Sequence, residues 1–210
     1  MYNYKGKNER PIIPQVVIDD FFETPDIIRE WALGQEFFKG ENRGTWPGIR
    51  THLLDDISKE LYNTVRYKLL KEYPQFNDFS DIDASFQVIT EEWDNGWVHE
   101  DNDVHRLAGV VFLTPNPPQG SGNTVYMEQE DISADKFQQI FDNDMTLEAD
   151  HRDTKKFRNE QRSLFTPSVR IENRYNRCVA FDPRMWHSAD QFFGDTKENG
   201  RLTLVFFCNE

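Results

Sequence analysis

The part of the chain after residue 80 consists of short apolar segments with the character of β-strands. From Asp83 the hydrophobic period is two, since Phe86 and Val88 alternate with Ser85 and Gln87. Further strands are predicted at Arg106 to Thr114, Thr124 to Met127, Ser168 to Ile171, Cys178 to Phe181, Trp186 to His187 and Leu202 to Cys208. Many short strands at close spacing favour a β-sandwich or jelly roll over alternating strands and helices. The predicted fold class is therefore mainly β.

Two helices are predicted ahead of these strands. Thr24 is a typical N-cap, and the helix that follows it is expected to end near Gln35. The second helix, from about Asp56 to Glu72, carries one apolar stripe at intervals of four residues. Glycines and a proline between the helices predict a loop over Lys39 to His52. A first strand is predicted within Ile12 to Phe22.

The chain has 210 residues, which is the length of one ordinary domain. We predict helical support over residues 1–80, packed on the sheet of a jelly-roll core over residues 81–210. An insertion at about residues 128–161 interrupts this core, and a short helix is expected within it at Ser133 to Phe141. The charged run Glu148 to Arg162 is expected to stay solvated.

Charge and composition exclude several classes of function. The net charge of −13 opposes a large phosphate-binding surface, so bulk nucleic-acid binding is not expected. No apolar run approaches the roughly 20 residues that span a bilayer, and the N-terminus lacks the apolar stretch of a secretory signal. We therefore expect no membrane association and a cytoplasmic location. Cys178 and Cys208 are expected to be reduced core thiols, and the oligomeric state stays open.

A histidine and an aspartate two positions apart follow a predicted hairpin turn. The turn is Asp94-Asn95-Gly96, and the pair is His99 and Asp101. Residues i and i+2 of a strand share one face, and two imidazoles with one carboxylate form the facial triad that holds Fe(II) with open positions. The motif alone is weak in an acidic chain.

The histidines of the chain differ in their surroundings. His151 also has an aspartate two residues on, but it lies in a charged stretch without strand character. His187 lies in a strand-like segment beyond the His99 motif, and it could supply the second imidazole of a triad. For His52, His105 and His151 we expect structural or solvated roles.

Arg201 and Thr203 stand at the head of the last apolar strand, two residues apart and so on one face. A guanidinium on a core strand is costly without a partner, and its planar fork suits a carboxylate. Alternatively, Arg201 lies at the exposed edge of the strand beside Gly200 and extends into solvent.

The ordered set His99-x-Asp101, then His187, then Arg201-x-Thr203 resembles the Fe(II)- and 2-oxoglutarate-dependent oxygenases of the prolyl-hydroxylase-like type. The resemblance implies a double-stranded β-helix, which is a cupin-like jelly roll. It also implies that His99, Asp101 and His187 bind Fe(II), and that Arg201, helped by Thr203, binds the distal carboxylate of 2-oxoglutarate.

Other parts of the sequence are similar to the same family. Leu107 to Thr114 followed by Ser121 to Thr124 resembles the strand, loop and strand after its first metal ligands. The Pro-rich loop at Asn116-Pro117-Pro118 is similar to that of uncharacterised phage and marine-bacterial members. Tyr126 is a further candidate for cosubstrate binding.

The activity that the resemblance implies is a dioxygenase reaction that consumes O2 and 2-oxoglutarate and usually hydroxylates its substrate. The substrate is expected to be a protein side chain, an amino acid or another small molecule. Two other functions fit the residues. One is a non-catalytic jelly-roll binding module, and the other is a cupin-type metalloenzyme that uses no 2-oxoglutarate.

The insertion is expected to pack beside the candidate metal site as a lid, because long excursions inside a compact domain are usually functional or disordered. The alternative is a surface loop on the far side of the sheet, with no part in the chemistry.

Overall fold

The structure is a computed structural model that describes residues 10–39, 46–93, 95–129, 133, 135–136, 138–139 and 155–210. Most of the insertion, including His151, therefore lies outside the described residues. In the expected helix at Ser133 to Phe141, the described residues Asp135, Lys136, Gln138 and Gln139 are helical. The helices in the described part are α1 (Pro25–Leu33), α2 (Leu54–Ile57), α3 (Lys59–Glu72) and α4 (Lys155–Arg162). The strands are β1 (Val16–Ile18), β2 (Phe38–Lys39), β3 (Ile49–Arg50), β4 (Asp81–Ile89), β5 (Leu107–Phe112), β6 (Asn123–Glu128), β7 (Phe165–Ile171), β8 (Cys178–Phe181), β9 (His187–Ala189) and β10 (Arg201–Asn209).

These strands form two antiparallel sheets. The larger has the order β1-β8-β5-β10-β4-β3-β2, and the smaller has the order β7-β6-β9. The sheets face each other, because Ile171 of β7 packs in one cluster with Phe112 of β5 and with Val179 and Phe181 of β8. This is the predicted mainly β jelly roll.

The larger sheet buries its outer face against the helices. Leu202, Leu204 and Phe206 of β10 pack in one core with Val65 and Leu69 of α3. The apolar stripe predicted for the second helix is therefore the surface that packs on the sheet. The helix itself is broken at Ser58, whose side chain caps α3 by accepting a hydrogen bond from the Leu61 N–H.

The inner face of the same sheet carries polar residues. Because side chains alternate along a strand, Arg201 and Thr203 of β10 face away from the helices, as do Ser85 and Gln87 of β4. All four are buried. The inner face therefore holds polar groups in a closed space, which is where a ligand can satisfy them.

The predicted hairpin after β4 is wrong. Both edges of β4 are already paired, one with β10 and the other with β3, so no edge is free for the chain to return along. A 3₁₀ turn at Glu91–Trp93 instead leads the chain across to the smaller sheet, where Gly96 pairs with Ala189 and His99 with His187.

The segment predicted as a loop between the helices, Lys39 to His52, contains the end of β2 and the whole of β3. Phe38 of β2 pairs with Arg50 of β3, and Arg50 pairs in turn with Gln87 of β4. Glycines made this stretch look irregular, but Gly48, with φ of 77°, lets the backbone approach the Val88 carbonyl closely.

Cys178 and Cys208 are free thiols in the core, as the sequence predicts, and burial raises the pKa of both. Within the described ranges, none of the helices has the length and apolar character needed to cross a bilayer.

Candidate metal centre

The two histidines of the candidate triad are joined through their backbones. The His99 N–H donates to the His187 carbonyl at 3.0 Å, and the His187 N–H donates back to the His99 carbonyl at 2.9 Å. Residues that face each other in such a pair project to the same side, and the two imidazole centroids lie 4.4 Å apart. The backbone therefore brings the two rings together.

A carbonyl two residues upstream orients each ring. The His99 Nδ1 lies 3.0 Å from the Trp97 carbonyl, and the His187 Nδ1 lies 2.8 Å from the Met185 carbonyl. A carbonyl can only accept, so each neutral ring carries its proton on Nδ1. The lone pair of each Nε2 is left free to bind a metal, with the orientation that metal-binding histidines usually obtain from such partners.

Asp101 places one carboxylate oxygen near each ring. Its Oδ1 is 3.5 Å from the His99 Nε2, and its Oδ2 is 3.4 Å from the His187 Nε2. The Asp101 N–H donates to the Pro183 carbonyl at 2.8 Å, which fixes the loop after β8 beside the carboxylate. The candidate ligand atoms of these three residues lie within 4.8 Å of one another.

The electrostatics favour an ionised Asp101 and a neutral His187. Burial raises the pKa of Asp101, but the nearby His187 and His99 outweigh it, so the pKa lies below its ordinary value. Burial lowers the pKa of His187 to about 4, although Asp101 opposes the shift. For His99, burial also lowers the pKa, but the Asp101 carboxylate outweighs it and the pKa is raised. The His99 side chain is 36% exposed, so the site opens on its side.

Arg201 lies on the inner face and not at an exposed edge. Its residue exposure is 3%, and its Nη2 donates to the Asn123 Oδ1 at 2.7 Å. The guanidinium lies over the rings of Phe112 and Phe192. Burial lowers its pKa to about 10, against the smaller opposing effect of Asp190.

Two buried donors at this position have no partner. The Arg201 Nε and the Thr203 hydroxyl make no hydrogen bond in the described part of the chain, although both atoms are buried. Unmade hydrogen bonds of buried groups cost about 1–3 kcal/mol each. The Asn123 amide oxygen accepts from only one nitrogen of the guanidinium. The arrangement therefore suits a carboxylate that accepts hydrogen bonds from the remaining donors.

The structure does not bring Tyr126 to the triad. Its hydroxyl accepts a hydrogen bond from Arg162 at 3.0 Å and lies 3.4 Å from the Ser188 Oγ. Its ring packs with Phe165 and Trp186. Ser188 follows His187 on β9 and faces the opposite side, so Tyr126 lies on the outer face of the smaller sheet.

The end of α4 holds the His99 segment in place. Gln161 is fully buried, and its side chain accepts from the Val98 N–H at 2.9 Å and donates to the Val98 carbonyl at 2.7 Å. Arg162 donates to the carbonyls of Gly96 and Ala189. We call this pair the Gln161–Arg162 clamp. The charged run that ends here is therefore not solvated along its whole length.

The remaining described histidines lie away from the triad. His105 Nδ1 is 2.9 Å from the Asn209 Oδ1, and its ring packs on Phe207. His52 packs on Phe38. Both have the structural roles expected from the sequence.

Sequence and structure comparisons place this chain among known proteins. The model of a family described as "Family of unknown function (DUF6445)" matches residues 6–208. None of the curated proteins matches the sequence. Many solved structures share the fold at low sequence identity.

Three of these structures illustrate the likeness. A prolyl hydroxylase from Trichoplax adhaerens, in complex with a hypoxia inducible factor peptide fragment, is 12% identical with a TM-score of 0.58, covering 93% of this chain and 83% of that one. A 2OG-Fe(II) oxygenase family oxidoreductase from Burkholderia pseudomallei is 11% identical with a TM-score of 0.55, covering 93% and 84%. HygX from Streptomyces hygroscopicus, with nickel, 2-oxoglutarate and hygromycin B bound, is 9% identical with a TM-score of 0.56, covering 93% and 82%. The likeness shows that this chain has the fold of these oxygenases.

Proposed function

Since the chain belongs to the DUF6445 family of unknown function and carries a His-Asp-His cluster on an oxygenase fold, we propose that it is an Fe(II)- and 2-oxoglutarate-dependent oxygenase. The observation that carries the proposal is the convergence of His99, Asp101 and His187 on the inner side of the jelly roll that also holds Arg201 with unpaired donors. The HygX structure, with nickel and 2-oxoglutarate bound, supports this pair of cofactors on the shared fold.

The residues present fit both groups. His99 and His187 would each bind iron through Nε2 and Asp101 through a carboxylate oxygen, which leaves positions open on the metal. The Arg201 fork would bind the distal carboxylate of 2-oxoglutarate, and the Thr203 hydroxyl would donate to the same group. When bound, iron and 2-oxoglutarate supply the oxidation of a substrate C–H bond by O2, with succinate and CO2 as co-products.

The surrounding residues supply orientation and exclude water. Trp97 and Met185 carbonyls hold the two imidazoles by their Nδ1 protons, so that Nε2 of each ring keeps its lone pair. Phe112 and Phe192 cover the Arg201 guanidinium and keep its interaction with a carboxylate strong. These groups do not react themselves.

The proposed outcome is hydroxylation of a small molecule or a peptide. Among the neighbours, the Trichoplax prolyl hydroxylase carries a peptide fragment and HygX carries hygromycin B. A substrate of either size is compatible with a site that opens beside His99.

The decisive experiment is anaerobic titration of the protein with Fe(II) and 2-oxoglutarate, followed by admission of O2 and measurement of succinate. We expect binding of both groups and slow succinate formation even without added substrate, and neither metal binding nor turnover in Asp101→Ala. A binding module predicts no iron-dependent turnover at all. A cupin-type enzyme without 2-oxoglutarate predicts metal binding but no succinate. Either result would contradict the proposal.

A further inference from the structure

A second arginine faces the inner side of the larger sheet. Arg50 of β3 pairs directly with Gln87 of β4, and directly paired residues project to the same face. Gln87 faces away from the helices, whereas Ile49, the neighbour of Arg50, packs against the helix-side core. The Arg50 side chain therefore extends from the same face as Arg201.

The position of Arg50 relative to Arg201 follows from the strand register. Arg50, Gln87 and Thr203 are successive partners across β3, β4 and β10. Neighbouring strands lie about 4.8 Å apart, so Arg50 stands roughly 10 Å from Thr203 along this row. Arg201 is two residues from Thr203 on the same strand. The two guanidinium groups thus stand at separate positions on one polar face.

No anionic partner neutralises Arg50 within the described residues. Its guanidinium takes part in none of their hydrogen bonds or ion pairs, and its Nε is buried without a partner. Burial lowers the pKa of Arg50 to about 10, and the one charge that opposes this effect is Asp101 of the triad. In a chain with 37 acidic and 24 basic residues, an arginine without a carboxylate in contact is notable.

An aromatic ring holds this guanidinium in position. The Arg50 Cζ lies 4.4 Å from the centroid of the Trp46 ring, a stacked arrangement that leaves the edge of the fork free to donate. Both residues are partly exposed, although the Arg50 Nε itself is buried. Between the arginines, the Gln87 side-chain nitrogen donates to the Pro47 carbonyl at 2.7 Å.

We propose that Arg50, supported by Trp46, binds an anionic group of the substrate, so that the substrate class is a molecule carrying a carboxylate or a phosphate. The inference rests on the proposed function, which assigns Arg201 and Thr203 to the cosubstrate. Arg50 then provides a second site for an anion on the same face. The charge of Asp101 acts on Arg50, so this site lies within electrostatic range of the proposed metal centre.

Charge balance supports the same assignment. Two positive charges of the metal and one of Arg201 match the Asp101 carboxylate and the two carboxylates of 2-oxoglutarate. Arg50 is one cation in excess of these groups, and a desolvated cation is costly unless an anion joins it. A substrate anion at Arg50 would also fix the orientation of the substrate, because a planar fork binds carboxylate or phosphate in a defined plane.

The test uses the side-chain N–H resonances of Arg50 and Trp46 in the full chain loaded with Zn(II) and 2-oxoglutarate. The probes are inorganic phosphate and N-acetylglycine, with N-acetylglycinamide as the uncharged control. We expect a saturable shift of the Arg50 Nε–H in the millimolar range with at least one anionic probe, and none with the amide. A response to phosphate alone indicates a phosphorylated substrate, and a response to N-acetylglycine alone indicates a carboxylate.

Variants make the assignment specific. In the Arg50 variants binding is followed at the Trp46 side-chain N–H. Arg50→Gln should weaken probe binding by about tenfold or more, and Arg50→Lys should be intermediate because it keeps the charge but loses the fork. Arg174→Gln, at an exposed arginine paired with Asp19, is the matched control and should bind the probe normally. Thermal unfolding checks that each variant is folded.

Two results would overturn the inference. One is probe binding that is absent from the wild type or unchanged in Arg50→Gln. The other is a loss of 2-oxoglutarate affinity in Arg50→Gln as large as the loss of probe affinity, which would make Arg50 a cosubstrate residue. Failure of the proposed function is seen separately, as failure of the protein to take up Zn(II) and 2-oxoglutarate at the loading step.

Discussion

Arg201 is buried beside aromatic rings with part of its hydrogen-bonding capacity unused. The Asn123 amide oxygen accepts from one nitrogen, whereas the Nε and the adjacent Thr203 hydroxyl have no partner in the described part of the chain. Such an arrangement is costly for the folded protein and is best accounted for by a ligand that completes it. At the scale of the residue, the proposed function and the unfavourable burial therefore coincide.

The first prediction concerns the cosubstrate. Arg201→Ala should weaken 2-oxoglutarate binding by about 10–100-fold, because hydrogen bonds to charged groups contribute about 1.5–3 kcal/mol. Arg201→Lys should be intermediate, since it keeps the charge but loses the planar fork. Calorimetric titration of the Zn(II)-loaded protein measures the dissociation constant.

The control is metal affinity, which should stay nearly unchanged because none of the ligand residues contacts Arg201. Thr203→Val should give a smaller loss of 2-oxoglutarate affinity than Arg201→Ala. An Arg201→Ala variant that binds 2-oxoglutarate as the wild type does would remove Arg201 from the proposed site.

The residues of the triad could be predicted because each follows a local pattern. His99 and Asp101 have the spacing that places two side chains on one face, and His187 and Arg201 lie in apolar strands where polar side chains are unusual. Arg50 could not be predicted in this way. Its role depends on the pairing of β3 with β4, and the glycines around it indicated only a loop. The position of Tyr126 could not be predicted either, since the face that it occupies depends on the pairing of β6 with β9.

At the scale of elements, the Gln161–Arg162 clamp connects the end of the insertion to the candidate metal centre. The Gln161 amide pairs with both backbone groups of Val98, as a neighbouring strand would, and Arg162 joins the carbonyls of Gly96 and Ala189. His99 lies directly beyond Val98 and makes only an isolated pair with His187. The clamp therefore supplies the backbone support that this short segment lacks.

The second prediction is that Gln161→Leu weakens metal binding by about tenfold, because residues that orient metal ligands typically contribute 10–100-fold to affinity. The variant should also lose about 2 kcal/mol of stability, since both Val98 backbone groups are left without a partner. Competition with a chromophoric chelator measures metal affinity, and urea unfolding measures stability.

A matched variant separates positioning from general destabilisation. Leu69→Ala opens a cavity in the core between α3 and the larger sheet, far from the clamp, and should cost about 2–5 kcal/mol without changing metal affinity in the folded protein. If Gln161→Leu and Leu69→Ala bind metal equally well, the clamp does not position His99.

The prediction for the insertion can be compared with the structure mainly at the C-terminal end of the insertion. The sequence predicts an insertion at about residues 128–161 and a solvated charged run to Arg162, but Gln161 is fully buried against Val98. Charge density in the run did not reveal this contact, because its partner is a backbone group of a distant segment. Most of the rest of the insertion lies outside the described residues, and its role as a lid stays a prediction.

For the whole molecule, Asp182 connects the N-terminal segment to the candidate metal centre. Its fully buried carboxylate accepts hydrogen bonds from the Ile13 N–H and from the Arg184 guanidinium, which in turn donates to the carbonyls of Arg10 and Pro11. The same loop provides the Pro183 carbonyl to Asp101. One network therefore fixes both the start of the described chain and a ligand of the proposed metal.

The third prediction is that Asp182→Asn lowers the free energy of unfolding by about 3 kcal/mol at neutral pH, because breaking a buried ion pair leaves a charge uncompensated. Burial raises the pKa of Asp182, but hydrogen bonds from Arg184 and Ile13 outweigh it and the pKa is lowered. Its stabilisation is thus present above the unfolded pKa of about 3.9 and lost as the pH falls through the folded value.

Urea unfolding over a pH series tests this effect. The free energy of unfolding of the wild type should fall below about pH 4, and that of Asp182→Asn should fall less steeply over the same range. Asp78→Asn, at an exposed pair with Arg66, is the control and should change stability little at neutral pH. Equal stability of Asp182→Asn and the wild type at neutral pH would contradict the prediction.

The fold class and the location of the helices followed from periodicity, because strands of period two and one amphipathic helix stripe are local properties. The pairing of the strands did not follow. The hairpin predicted after β4 fails because β3 and β10 occupy both of its edges, and these partners come from distant parts of the chain. The division into support and core stays a prediction.

The reciprocal backbone pair of His99 and His187 also bears on the speed with which the protein folds and unfolds. Most of the smaller sheet and the whole insertion lie between the two residues in the sequence, so this pair forms only after a long loop has closed. Contacts of such long sequence separation slow folding. A metal bound to the completed pair stabilises the native state but not the open chain. Its main kinetic effect is then to slow unfolding rather than to accelerate folding, so that iron would lengthen the lifetime of the folded protein independently of any turnover.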